Sequence, residues 1–386
     1  MRILQLGKFY PIKGGVEKVM YDLMTGLSKK GVDCDMMCAA SEGKTRVEKL
    51  NEHAKLICCH TLFKLAATMI SPAMIWRLWK MRKQYDVIHV HHPDPMACLA
   101  LFCSGFKGKV VLHWHSDILK QKMLLKFYKP LQSWMIRRAD LVIGTTPVYL
   151  QESPFLKKVQ HKTACLPIGI LPLTPTTQGV EAIRAQYPGK RIVYSLGRLI
   201  GYKGFSYLVD AAKYLDDSYV VLIGGSGPLK EDLKRQVEEA GLQERVKLLG
   251  FVPDEMHADY FGACDVFCLS SIQKTEAFGI VQIEAMSCGK PVVTTRIPES
   301  GVPWVNGHEM SGLNVEPCDA EALAEAVREI TKDEATYRGY SDRARERYEQ
   351  LFTADKMIDT CHQYYKNIEP INRVDNKKTK NKDYAD

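Results

Sequence analysis

A chain of 386 residues is long enough for two domains of ordinary size, each with its own hydrophobic core. Hydrophobic residues make up 46% of it and charged residues 25%, which is typical of a globular protein, and no apolar run is long enough to cross a bilayer. The start, Met1-Arg-Ile-Leu-Gln-Leu-Gly7, predicts a first strand rather than a signal peptide. Twelve cysteines without framework spacing favour a reducing compartment, so we expect a cytoplasmic protein.

The formal net charge of +8 is unevenly distributed along the chain. Residues 1–170 carry 26 Lys and Arg against 12 Asp and Glu, a balance of +14, and residues 171–386 carry 27 against 33, a balance of −6. Two segments of the basic half, Met69–Arg82 and Leu124–Arg138, mix basic and aromatic side chains. They are either ordinary amphipathic helices on a sheet or interfacial helices that dock on an anionic membrane. No recognition motif supports the third reading of a basic surface, nucleic-acid binding.

Strand-like runs alternate with helical patterns in both halves, which predicts parallel sheets covered by helices on both faces. The proline-rich stretch around 171–190 interrupts this alternation and is predicted to be an interdomain linker. The predicted organisation is an α/β protein of two doubly wound, Rossmann-like domains that face a central cleft. Its parts are an N-terminal domain (1–170), the linker (171–190), a second domain (191–352), a helix that packs back on the N-terminal domain (353–371) and a disordered tail (372–386).

Several glycine and basic motifs follow predicted strands, where an open α/β sheet binds its ligands. Gly14-Gly15 opens the first helix, and Gly225-Ser-Gly227-Pro follows a strand of the second domain; each pair could bring backbone N–H groups close to a ligand or simply form a turn. The stretch Gly197-Arg198 to Lys203-Gly204 carries a guanidinium and an ammonium that suit a diphosphate, or form a solvated basic loop. There is no Walker lysine pattern, which disfavours ATP hydrolysis.

Glu276 and Glu284 are eight residues apart, close to a whole number of helical turns. A helix that begins near Phe278 would put Glu276 just before its N-terminus, where free N–H groups attract an anionic ligand. The alternative is an amphipathic helix with two solvated acids.

Histidines cluster at two predicted strand ends, at His113-Trp-His115-Ser-Asp117 and at His89, His91 and His92. Such side chains can hydrogen-bond a sugar or a leaving phosphate. A metal site is the less favoured reading, because no Cys or carboxylate set completes a coordination shell. Asp33-Cys-Asp35 opens a strand, so its likeness to a metal-binding Asp-x-Asp motif is interpreted as chance.

Taken together and in their order along the chain, these motifs resemble those of the retaining nucleotide-sugar glycosyltransferases of family 4, which have the GT-B fold. The resemblance covers about residues 2–365 and includes Gly289-Lys-Pro-Val-Val after the second glutamate. It implies four catalytic residues: His115, Arg198, Lys203 and Glu276. It also implies donor contacts from Gly14, Gly15, Gly225, Gly227, Phe278, Gly279, Ile280 and Glu284, with Glu276 on the sugar and Glu284 on the ribose.

The resemblance further implies that no cofactor and no divalent metal is required, because cationic side chains and a helix start stabilise the leaving nucleoside diphosphate. Glu276 could be a covalent nucleophile, but a front-side displacement with the leaving phosphate as proton acceptor is preferred. The segments Leu112-His-Trp-His-Ser-Asp117 and Ser300-Gly-Val-Pro-Trp-Val305 look like those of bacterial enzymes that assemble O-antigen and capsule chains, some of which use GDP-mannose. Arg296–Asn306 departs from the glycine-rich loop of many relatives, which changes one wall of the donor pocket.

The expected function is therefore transfer of a hexosyl residue from a nucleoside-diphosphate sugar to a lipid-linked surface-polysaccharide acceptor. The expected location is the inner face of the bacterial plasma membrane, with the basic N-terminal domain on the anionic lipid. Two alternatives stay open: a nucleotide-sugar epimerase of the same fold, and a catalytically inactive scaffold that binds sugar nucleotides.

Overall fold

The computed structural model describes residues 1–12, 14–65, 68–118 and 122–368. The expected disordered tail, 372–386, lies outside these residues. The described part contains two large sheets, one formed by residues 2–165 and the other by residues 191–315. None of its helices combines the length and the apolar character needed to cross a membrane.

The N-terminal sheet has eight strands in the order β10-β9-β8-β7-β1-β2-β4-β3, all parallel except β3, which runs antiparallel to β4. A separate two-stranded hairpin, β5–β6, follows β4. The strands are β1 (Arg2–Tyr10), β2 (Asp33–Ala40), β3 (Arg46–Lys49), β4 (Lys55–Cys59), β5 (Phe63–Leu65), β6 (Thr68–Ile70), β7 (Val87–His92), β8 (Lys109–Trp114), β9 (Leu141–Gly144) and β10 (Thr163–Cys165).

Helices cover this sheet because their apolar residues recur at helical spacing. In the first helix the buried residues Val19, Met20, Leu23, Met24 and Leu27 form one stripe against the strands. The helices of this half are α1 (Gly15–Lys29), α2 (Pro72–Met81), α3 (Pro95–Ser104), α4 (Lys122–Arg138) and α5 (Pro147–Glu152). The segment predicted as a linker is partly helical, since it contains α6 (Thr177–Arg184), which packs on a helix of the second domain.

The second sheet is fully parallel, in the order β13-β12-β11-β14-β15-β16. Its strands are β11 (Arg191–Leu196), β12 (Tyr219–Gly224), β13 (Val246–Gly250), β14 (Val266–Leu269), β15 (Val292–Thr295) and β16 (Gly312–Val315). The helices are α7 (Phe205–Ala211), α8 (Lys230–Glu239), α9 (Asp254–Ala263), α10 (Ile280–Ser287), α11 (Val302–Asn306), α12 (Ala320–Ile330), α13 (Glu334–Leu351) and α14 (Ala354–Asn367).

Helix α14 lies against the N-terminal domain although it follows the second domain in the sequence. It packs on α1, and the hydroxyl of Tyr365 lies 2.5 Å from Nδ1 of His89. On the outer surface Lys30 pairs with Asp359 at 2.5 Å. The C-terminal helix therefore links the two halves of the molecule.

Two local features differ from the sequence pattern. The run Thr163–Ile170 predicts one strand, but the strand ends at Cys165, because the chain leaves the sheet there and runs toward the second domain. The helix expected within Met69–Arg82 is shorter, Pro72–Met81, since Met69 and Ile70 belong to the β5–β6 hairpin and Pro72 starts the helix.

Candidate functional site

The two sheets carry their loops toward each other at their topological switch points. In the second sheet the strand order reverses between β11 and β14, so the loops that follow these two strands diverge and leave a crevice. In the first sheet the reversal falls between β1 and β7. The predicted site residues follow these strands or their neighbours, which puts them at the carboxyl ends of both sheets.

Two of the predicted residues, Lys203 and Glu276, form an ion pair. Nζ of Lys203 lies 2.5 Å from Oε2 of Glu276, and both side chains are largely buried. The hydroxyl of Ser271 donates to the same oxygen at 3.0 Å. Within the described residues both contacts fall on Oε2, which leaves Oε1 of Glu276 available to a ligand.

The loop around Glu276 is held from a second side by the segment that departs from the family pattern. Ser300 donates from its hydroxyl to the carbonyl of Glu276 at 2.5 Å, and the Gly301 amide donates to the carbonyl of Ala277 at 3.1 Å. The unusual segment thus supports the site rather than only lining it.

Helix α10 begins at Ile280, two residues later than the sequence predicts. Gly279 is its N-cap, with φ of +74°. Glycine adopts this left-handed conformation without strain, and because of it the helix does not extend back beyond Ile280. The backbone N–H groups of Phe278 and Gly279 consequently precede the helix instead of lying in its first turn. Phe278 itself is buried in the core.

Glu284 lies one turn into α10 and faces a histidine that the sequence reading did not select. Nε2 of His257 is 3.4 Å from Oε1 of Glu284, and this hydrogen-bonded pairing raises the pKa of His257 against the effect of its burial. Oε2 of Glu284 is buried and has no hydrogen-bond partner in the part of the chain that the structure describes. A buried carboxylate oxygen without a donor fits a ligand hydroxyl.

The two glycine loops of the second domain pack on each other. Gly225 has φ of +132°, and a Cβ there would lie 1.8 Å from the carbonyl oxygen of Gly197, so a side chain at this position is excluded. Gly227 is similarly close to the backbone of Leu199. Arg198, between these contacts, has an exposed side chain. The loops therefore form a tight backbone surface beside an available guanidinium.

His115 contributes a neutral imidazole from the end of β8. Its Nε2 lies 3.0 Å from Nδ1 of His91, and Nε2 of His91 lies 2.8 Å from Oε1 of Gln5. Burial, together with the nearby His113 and Lys8, holds the pKa of His115 well below its usual range. At neutral pH His115 can hydrogen-bond a ligand but carries no proton to give as an imidazolium.

Three buried histidines behind His115 lie close enough together to be compared with a metal site. One nitrogen each of His89, His91 and His113 lies within 4.8 Å of the others, and all three rings are buried. The rings of His89 and His91 stack 4.5 Å apart at 19°, and those of His89 and His113 stack 5.2 Å apart at 18°. Since imidazole lone pairs lie in the ring plane, stacked rings do not aim them at one point, and the cluster fits a metal poorly.

Gly14 and Gly15 mark the contact of α1 with the other domain. Gly14 is the N-cap of α1, and a Cβ on Gly15 would lie 2.9 Å from Cδ1 of Ile280. The starts of α1 and α10 therefore meet across the cleft, and a larger residue at position 15 would push them apart.

One contact across the cleft joins Asp117, the last residue of the His113–Asp117 motif, to Lys274, which was not predicted from the sequence. Nζ of Lys274 lies 3.2 Å from Oδ2 of Asp117 and 2.9 Å from Oε2 of Glu299. The position of Lys274, two residues before Glu276, was a usable signal in the sequence. Its pairing with Asp117 could not be predicted from the sequence.

The arrangement joins a cationic side chain, a paired carboxylate, a free carboxylate oxygen and backbone N–H groups around one crevice. These groups suit a ligand that carries both negative charge and several hydroxyls.

Comparison with known sequences matches each half of the chain to a glycosyltransferase profile. Residues 13–162 match the profile of Glycosyltransferase Family 4, and residues 180–347 match that of Glycosyl transferases group 1. The chain is 32% identical to the O-antigen chain mannosyltransferase C of Escherichia coli, over 95% of this chain and 98% of that one. It is 31% identical to the D-rhamnosyltransferase WbpZ of Pseudomonas aeruginosa, over 92% and 93%.

Solved structures share the architecture. HepE from Anabaena, crystallised with UDP, superposes with a TM-score of 0.77 at 20% identity and covers 95% of this chain and 100% of its own. The glycosyltransferase WaaG, described as involved in lipopolysaccharide biosynthesis, gives a TM-score of 0.67 at 16% identity, over 94% and 99%. The predicted GT-B fold is confirmed, and the chain belongs to glycosyltransferase family 4.

Proposed function

We propose that this glycosyltransferase moves a hexosyl residue from a nucleoside-diphosphate sugar to a lipid-linked surface-polysaccharide acceptor, with retention of anomeric configuration. The observation that carries the proposal is the Lys203–Glu276 pair at the switch point of the second sheet. Mannose from GDP-mannose is the first candidate donor, because a relative that spans nearly the whole chain is described as an O-antigen mannosyltransferase.

In the proposed complex the donor diphosphate lies between the loop of Arg198 and Lys203 and the backbone that precedes α10. An ammonium, a guanidinium and free N–H groups would stabilise the negative charge that develops as the sugar–phosphate bond breaks. With these groups in place, the proposal requires no divalent metal. Glu276 Oε1 would accept from sugar hydroxyls, and Glu284 Oε2 from the ribose.

The proposed displacement takes place on the face of the sugar that the leaving phosphate occupies. The acceptor hydroxyl attacks C1, the bond from C1 to the diphosphate breaks, and the departing phosphate oxygen takes the hydroxyl proton. His115, neutral because of its burial, contributes a hydrogen bond to the sugar and no proton. Glu276 is held by Lys203 and Ser271, which suits a fixed hydrogen-bond acceptor.

Incubation with radiolabelled donors and a polyprenyl-diphosphate-linked acceptor tests the activity. Transfer of label to the lipid-linked product is expected, with GDP-mannose ahead of UDP-sugars. Isomerised free donor would identify an epimerase, and binding without either reaction would identify a scaffold; both results contradict the proposal. A covalent sugar adduct trapped on wild-type Glu276, and lost in Glu276→Gln, would replace the front-side mechanism by a nucleophilic one.

We propose further that the N-terminal domain docks on the anionic inner face of the plasma membrane. The docking face consists of Trp76 and Trp79 on α2, Phe102 on α3 and Phe127 on α4, all of which are exposed. Helices α2, α3 and α4 pack side by side. These bulky side chains therefore lie on neighbouring helices of one domain.

The distribution of charged residues supports anionic lipid as the binding partner of the docking face. From residue 53 to residue 138 the acidic residues are Asp86, Asp94 and Asp117, of which Asp94 and Asp117 are buried. Basic residues, in contrast, recur through the same stretch, and each one near an anionic surface contributes about 1 kcal/mol.

Co-sedimentation with vesicles tests the docking face. Phosphatidylglycerol-containing vesicles should bind the protein in a salt-sensitive way, and phosphatidylcholine vesicles should not. The double variant Trp76→Ser/Trp79→Ser should lose most of the binding, whereas the control Phe251→Ser, an even more exposed aromatic on the other domain, should keep it. Equal binding by both variants, or none by the wild type, would refute the docking face.

A further inference from the structure

Lys274 joins the two domains directly beside the proposed donor site. Its side chain is 13% exposed, and its ammonium lies 3.2 Å from Oδ2 of Asp117, whose side chain is 1% exposed. Asp117 follows β8 in the N-terminal domain, and Lys274 follows β14 in the second domain. The same ammonium lies 5.2 Å from the ring centre of Tyr149, also in the N-terminal domain.

Asp117 is held in place by contacts within the N-terminal domain that do not involve Lys274. Its Oδ1 accepts from Nε1 of Trp114 at 2.9 Å and from the hydroxyl of Ser153 at 2.8 Å, and its backbone N–H donates to the Tyr149 hydroxyl at 2.9 Å. Oδ2 is the remaining oxygen, and its contact with the ammonium is an ion pair rather than an aligned hydrogen bond. A buried carboxylate that loses its cation is costly, so this pair favours the arrangement in which the domains are together.

On the other side of the cleft, Lys274 lies inside the turn that ends at Glu276. The amide of Glu276 donates to the carbonyl of Gln273 at 2.9 Å, which closes the turn around Lys274. Glu299, exposed on the surface, is the second partner of the ammonium at 2.9 Å. A shift of Lys274 would therefore shift Glu276, while loss of Glu299 would remove only a solvated contact.

We propose that Lys274 is a positioning residue: through Asp117 it ties the turn that carries Glu276 to the N-terminal domain and so sets the distance between the donor and acceptor sides. This inference rests on the proposed function for its effect on rate, but not for its effect on the domain arrangement. Near the reacting groups, the closed arrangement is then held by this interdomain ion pair.

The test compares Lys274→Met and Asp117→Asn with the matched control Glu299→Gln, which removes the other partner of the same ammonium. Lys274→Met and Asp117→Asn should each lower kcat about 100-fold, since a small misplacement of a reacting group has an effect of this size. The double variant should be no worse than either single one, because the two residues act as a pair. Glu299→Gln should stay within about twofold of the wild type, and Lys274→Arg should recover part of the loss.

Small-angle scattering supplies a readout that needs no substrate. Without ligand, Lys274→Met should have a larger radius of gyration than both the wild type and Glu299→Gln, at an unchanged far-UV circular dichroism spectrum. If the wild type transfers no sugar, the proposed function fails and scattering alone decides on the ion pair. Additive kinetic losses, or a radius equal to that of the wild type, would overturn the role of Lys274.

Discussion

The two sides of the cleft use opposite electrostatics. On the N-terminal side His89, His91, His113 and His115 are buried, and their pKa values lie well below the ordinary value, about 3 for His113, mainly because burial disfavours the charged form. On the other side Lys203 pairs with Glu276, and the pKa of His257 is raised by its pairing with Glu284.

In the proposed function this difference gives the two domains different roles. The charges at the switch point of the second domain match a charged donor. The first domain offers an acceptor hydroxyl hydrogen bonds from buried, neutral imidazoles. Low polarity on one side also strengthens the charge interactions on the other.

Lys203→Met would break the charged side and should have the largest effect. It removes the ammonium proposed to bind the diphosphate and leaves Glu276 without its cation, so kcat/KM should fall about 10³-fold, as for loss of one oxyanion-stabilising group. Initial rates with saturating acceptor measure this loss. Lys213→Met, which breaks an exposed ion pair in the same domain, should change kcat/KM less than about twofold; a similar loss in both variants would contradict the assignment.

Low pH should destabilise the N-terminal side of the cleft, which contains the neutral histidines. The buried histidines have native pKa values below the unfolded value of 6.5, so the unfolded chain binds more protons and stability falls as pH drops below about 6.5. At pH 5 each such histidine removes about 2 kcal/mol from the free energy of unfolding. Thermal or urea unfolding between pH 7.5 and 5 measures the slope.

The variant His113→Leu sharpens this acid prediction. Both ring nitrogens of His113 lack hydrogen-bond partners among the described residues, so an apolar side chain of similar volume should be tolerated at pH 7.5 and should reduce the acid slope by the share of one histidine. His161→Leu, at an exposed position, should leave the slope unchanged. A slope that His113→Leu does not alter would show that another group controls acid stability.

Glu284→Gln should have the smallest effect and separates binding from chemistry. Gln keeps the shape of Glu284 but weakens acceptance from a ribose hydroxyl, so KM for the donor should rise about tenfold with kcat little changed. The pKa of His257 should also fall, because its pairing with the carboxylate is what raises it. Donor titrations and histidine NMR measure the two effects; a fall in kcat with KM unchanged would place Glu284 in the chemical step instead.

The strand and helix periods were sufficient to predict the two-sheet fold, because each domain is built from buried strands and amphipathic helices with local signals. The same signals placed Lys203 and His115 after strands and Glu276 just before a helix. They could not place the start of α10, which depends on the left-handed conformation of Gly279.

Contacts between distant residues were also beyond the sequence. The pairing of Lys274 with Asp117 depends on how the two domains sit against each other, and the contact of Gln5 with Tyr365 joins β1 to α14, 360 residues apart. His257 gave no signal because its importance comes from Glu284, which lies on another helix.

The anomeric configuration of the product tests the central claim most directly. Proton NMR of the product formed from an α-linked donor such as GDP-mannose should show an α-linked sugar on the lipid-linked acceptor, because attack and departure are proposed to occur on the same face. A β-linked product would contradict the account, since it would require attack from the opposite face and a different base.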